Sequence, residues 1–88
     1  MLLKDRQYDL CLKKTVCRYK LAKDDVKNCS RNILGKLSSY YADYGNSIED
    51  LTVYDSQYSI TEVAAIESVF WTLKKLGCIY FPLRIQVK

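Results

Sequence analysis

Apolar and polar positions alternate along the first twenty residues in a way that predicts extended chain. Tyr8, Leu10 and Leu12 alternate with Asp9, Cys11 and Lys13, and Cys17, Tyr19 and Leu21 alternate with Arg18 and Lys20. Strand side chains repeat every second residue. The inward parity changes from even to odd between Leu12 and Cys17, which requires a turn or a bulge near Lys13-Lys14-Thr15. A hairpin is the preferred reading. The turn lacks Gly, Asn and Asp, so a single bulged strand stays open.

The period then lengthens. Over residues 24–44, Val26, Cys29, Ile33, Leu37, Tyr40 and Tyr44 recur at steps of three and four, the mark of a helix with one buried stripe. Asp24 is placed to cap its start and Gly45 to stop it. Residues 50–58 predict a strand through Leu51, Val53 and Tyr54. Ser59-Ile60-Thr61-Glu62 then has the spacing of a capping box. The helix it opens carries Val63, Ile66, Val69, Phe70, Leu73 and Leu76 on one face. Lys74 and Lys75 favour its negative end, and Gly77 stops it. Residues 78–88 predict a last strand, with Leu83, Ile85 and Val87 alternating against Arg84, Gln86 and Lys88, and Pro82 marking an edge or a bulge. The expected class is α+β: one small domain over residues 1–88 in the order β-β-α-β-α-β, a mixed sheet with two helices packed on one face.

Length and composition fit that expectation. Eighty-eight residues, nearly half of them apolar or aromatic, suffice for one core without disulfides. No apolar run approaches the roughly 20 residues that span a bilayer, and the first residues lack the apolar stretch of a secretory signal. A cytoplasmic protein with no membrane partner is expected. Cys11, Cys17, Cys29 and Cys78 form no C-x-x-C pair and read as reduced thiols filling the core, so no metal or other cofactor is expected. Histidine is absent, which removes the commonest general base and the usual activator of a nucleophile. Asp24, Asp25 and Glu62 are explained by helix starts. No catalytic residue is named and an enzyme is not expected. Lysine outnumbers arginine ten to four, a bias typical of AT-rich coding sequence and in keeping with a phage or another mobile element.

Charge points to the candidate chemistry. Through residue 45 there are ten Lys/Arg against five Asp/Glu, and from residue 46 onward four against five, so the halves carry +5 and −1. Lys23, Lys27 and Arg31 form one row on the first helix, while Lys13, Lys14, Arg18 and Lys20 come from the hairpin. Side by side, these groups would make a patch that tracks phosphates by releasing counterions. Tyr41, at the edge of the apolar stripe, could add stacking.

Trp71 lies roughly 140° around its helix from Ile66, the centre of the apolar face, on a side shared with Ala64, Glu67, Ser68 and Lys75. It could anchor a second copy, pack under another element of the chain, or stack on a base. Gly35, in mid-helix, could admit a close approach of another backbone or a phosphate. The last strand's apolar residues Leu83 and Ile85, together with Trp71 and Lys75, make a candidate homodimer interface if that strand is an edge. The first functional expectation is a small nucleic-acid-binding protein, RNA ahead of DNA, working as a dimer. The second is a protein-interaction module, an inhibitor or adaptor of a larger complex, anchored by Trp71.

Overall fold

The computed structural model describes the backbone of residues 2–44 and 51–86, and the side chains of residues 3–37, 51–54 and 56–86. Its elements are α1 (Arg6–Tyr19), α2 (Lys23–Tyr44), β1 (Leu51–Tyr54), α3 (Ile60–Lys75) and β2 (Leu83–Gln86), with single 3₁₀ turns at Leu2–Lys4 and Asp55–Gln57. The expected β-β-α-β-α-β order with a mixed sheet is therefore wrong. Three helices dominate, and the two strands that form are short and parallel.

The correction falls on α1. Its buried residues are Tyr8, Cys11, Leu12 and Thr15, a set spaced at three and four, whereas Leu10 and Cys17, inward on a strand reading, are exposed. The parity change that suggested a hairpin turn is the drift of a 3.6-residue period sampled over a short stretch. Asp5 caps the helix, its side chain accepting from the Gln7 amide at 2.7 Å. At the other end Lys20 takes the left-handed conformation (φ 56°, ψ 50°), and the Leu21 amide closes back onto the Val16 carbonyl at 3.1 Å. Three residues connect α1 to α2, so the two make a helical hairpin.

Helix α2 begins at Lys23, one residue before the expected cap, with Asp24 and Asp25 in its first turn where the dipole favours them. Val26 and Ile33 are buried on it, and Gly35 faces open space with nothing within 4 Å of where a Cβ would stand. No described residue makes a close approach at Gly35. Gly35→Ala should accordingly raise the unfolding free energy by about 0.5–1 kcal/mol in a urea titration, because it removes only the helix penalty of glycine. The expected stop at Gly45 lies outside the described residues.

The segment from β1 to β2 is a strand–helix–strand unit. β1 and β2 pair in parallel, with Leu51 opposite Leu83 and Val53 opposite Ile85, and α3 is the crossover between them. The capping box at its start forms as spaced: the Glu62 amide donates to Ser59 Oγ and the Ser59 amide to Glu62 Oε1, each at 3.2 Å. At its end Gly77 (φ 79°) lets the Cys78 amide reach the Leu73 carbonyl and the Gly77 amide the Lys74 carbonyl, a Schellman closure.

Helix α3 is the hub. Every residue from Val63 to Phe70 is buried, as is Thr72, because α1, α2 and the strand pair pack around it. Ala64 and Ser68, on the side set apart from the apolar face, lie beneath this shell, so that side packs under another element of the chain. Their small side chains allow close helix approach, and Ser68, Thr72, Ser30 and Thr15 each satisfy their hydroxyls on the carbonyl four residues back. A second cluster of Phe70, Ile79 and Phe81 joins the main core through Leu51, Leu73 and Leu83. Of the cysteines, Cys11 is buried and Cys29 half-buried, but Cys17 and Cys78 are exposed, so a core-filling role suits only the first two.

The fully buried Tyr8 is the exception to polar satisfaction: its hydroxyl has no hydrogen-bond partner among the described residues. Burial pushes this phenol up from its ordinary pKa, opposed in part by the nearby Ser30 hydroxyl, which itself donates to the Val26 carbonyl. A buried donor without a partner costs about 1–3 kcal/mol. Tyr8→Phe should therefore leave stability unchanged or raise it by up to about 1 kcal/mol in urea unfolding. A loss above that would show that the hydroxyl is bonded.

Candidate functional site

The hairpin's first arm and the hub helix leave a groove of about 320 Å³ between them. Cys11, Lys14, Thr15 and Arg18 line it from α1, and Glu67, Trp71 and Lys75 from α3. Cys11 with Thr15 and Lys14 with Arg18 make two adjacent rows at four-residue spacing on α1, and Glu67, Trp71 and Lys75 make one row at the same spacing on α3.

Glu67 forms the floor. Its side chain is 8% exposed and pairs with the Arg18 guanidinium through Oε2, while the Tyr19 hydroxyl donates to Oε1 at 3.0 Å. Arg18 also lies over the Tyr19 ring, 5.0 Å from its centroid. Burial, reinforced by the Glu67 charge and by this hydrogen bond, pushes the Tyr19 phenol above its ordinary pKa. The cluster ties the end of α1 to the middle of α3 and fixes the position of the Glu67 carboxylate.

Trp71 forms one wall and remains 43% exposed. Phe70 meets it edge-on, with centroids 5.4 Å apart and planes at 89°. Lys74 Nζ lies over its ring, 5.5 Å from the centroid, and over Phe70 at 5.8 Å, and donates to the Phe81 carbonyl at 3.3 Å. The indole is thus backed by protein and open toward the groove. Lys14, Arg18 and Lys75 surround it with three positive charges against the single carboxylate of Glu67.

The sequence-predicted residues divide. Lys14 and Arg18, assigned to phosphates, meet Trp71 and Lys75, assigned to an interface, in this one groove. Lys13, about 100° around α1 from Lys14, does not line it. Nor does Lys20, in the left-handed turn, nor Lys23, Lys27 and Arg31 on α2. Arg31 and Asp9 both act on the Tyr8 hydroxyl, with opposite sign, so that part of the hairpin is electrically mixed. The Tyr41 side chain lies outside the described residues. Leu83 and Ile85 are half-buried and pack on the core.

Glu67 is the site residue that sequence reasoning missed. Its four-residue steps to Trp71 and Lys75 are visible in the sequence, but only the helical α1 shows what packs against that row. Among the described residues no helix is long and apolar enough to cross a membrane. No family model, curated protein or solved structure matches the chain.

Proposed function

We propose that the protein binds single-stranded nucleic acid in the α1–α3 groove, with a base stacked on Trp71 and flanking phosphates on Lys14, Arg18 and Lys75, and that it performs no catalytic step. The observation that carries this reading is the half-exposed indole, braced by Phe70 and Lys74, beside a groove lined by Lys14, Lys75 and the Glu67-paired Arg18. Aromatic platforms beside tracked phosphates bind single strands without needing a sequence motif. Dispersed cations on α1 and α2 would add long-range attraction to the polyanion rather than direct contacts.

Trp71 is the chain's single tryptophan, so its fluorescence reports on the groove without a label. Titration with short RNA and DNA oligomers should quench it, by stacking. With about three phosphate contacts, raising salt from roughly 50 to 200 mM should weaken binding about 20-fold. No quenching at low salt would overturn the reading.

A protein-docking role is the second reading, favoured by the way Glu67 offsets Arg18 and leaves the groove only partly cationic. Trp71 would then be the anchor of a contact with an acidic surface. Capture of the same partner by wild type and by Trp71→Ala would remove it.

A further inference from the structure

We propose that the groove selects guanine, the Glu67 carboxylate accepting the N1–H and N2–H donors of a base stacked on Trp71. This rests on the single-strand reading above and adds a base preference to it. Glu67 and Trp71 are one helical turn apart on α3, which brings their Cβ atoms within about 5–6 Å on the same face. Both line the groove. A base stacked on the indole therefore has its edge within reach of the carboxylate.

The chemistry of that edge decides which base fits. An ionised carboxylate accepts only, with about four lone-pair positions on its two oxygens. Arg18 occupies one on Oε2 and Tyr19 one on Oε1, so each oxygen keeps a free acceptor position. The same two bonds hold the carboxylate still, which reduces the ordering cost of a further contact.

Two adjacent acceptors call for two adjacent donors. Guanine alone among the four common bases presents a pair on its Watson–Crick edge, N1–H beside the 2-amino group. Adenine and cytosine each offer one amine next to a ring nitrogen lone pair, and uracil offers one N–H between two carbonyls. With any of these, a lone pair would face a carboxylate in a partly water-excluded floor, where an unmet acceptor is costly. A carboxylate is also a poor neighbour for phosphate, so its place at the floor of a cationic groove suits the base and not the backbone.

The test uses wild-type protein and uracil-rich hexanucleotides that carry guanine, inosine, adenine, cytosine or uracil at one central position. Trp71 quenching gives each affinity. Guanine should bind about tenfold more tightly than adenine, cytosine or uracil, in line with one bidentate base contact. Inosine, which keeps N1–H but lacks the 2-amino group, should lose most of that advantage. Glu67→Gln, checked for helix content by circular dichroism, should abolish the guanine preference. If that variant does not fold, the inosine comparison still decides.

Affinities within twofold across the bases, or inosine equal to guanine, would overturn the base preference while leaving single-strand binding intact. Absence of quenching by every oligomer would overturn both.

Discussion

Phe70→Ala should lower the unfolding free energy by about 3–5 kcal/mol, the cost of truncating a fully buried aromatic side chain. Phe70 is fully buried and belongs to the cluster that carries Ile79 and Phe81. Its ring lies 6.0 Å from that of Phe81, centroid to centroid, so it holds the approach to β2 against α3. Removing it leaves a void in the cluster that packs between α3 and the segment leading into β2, with little room for the shell to collapse inward. A chain of this length has a total stability of about 5–10 kcal/mol, so the variant would lose roughly a third to all of it. Urea unfolding followed by circular dichroism measures the loss directly. A decrease below about 1 kcal/mol would mean that the Phe70–Ile79–Phe81 contact contributes little.

Trp71→Ala should have the opposite profile. The indole is 43% exposed, so its truncation costs stability modestly, yet it should weaken oligonucleotide binding about 10- to 100-fold, the range for one lost base stack. The variant has no tryptophan, so binding is read by anisotropy of a labelled oligomer. Trp71→Phe keeps a ring of smaller area and should fall between alanine and wild type. Lys14→Ala and Lys75→Ala supply the contrast: each should weaken all sequences alike and flatten the salt dependence by about one unit of slope or slightly less. Unchanged affinity in Trp71→Ala would move the site away from the groove.

The second half of the molecule was legible because its local signals agree with its packing. The capping box at Ser59–Glu62, the stop at Gly77 and the alternation through Leu83 and Ile85 each describe an element that forms as written, although β2 is shorter than the pattern suggests. In the first half, Tyr8 and Leu12 satisfy both a two-residue and a 3.6-residue period, and only the burial of Cys11 and Thr15 against the exposure of Leu10 separates the two. Thr15 carries no apolar signal. It is buried as a hydroxyl satisfied by its own helix, which a pattern of hydrophobic residues does not reveal.

The helical form of α1 decides what the site contains. The outward position of Trp71 follows from helical geometry alone, but what covers the side of α3 that bears Glu67 depends on α1, for which the two-residue pattern predicts strands. Charge singles out Lys14 and Arg18 in the sequence, and helical position singles out Trp71. Their meeting in one groove depended on α1 being a helix.

Arg18 and Glu67 are separated by 49 positions in the chain, and the two walls of the groove share no local segment. Neither wall exists as a recognition surface in a peptide excised from the chain. Assembly of the cleft and acquisition of the native state are one event, so any ligand held there acts as a global thermal protectant. At a concentration a hundred times its dissociation constant it would add about 2.7 kcal/mol to the whole molecule. Loss of α1 by proteolysis would erase the cleft outright instead of weakening it by degrees.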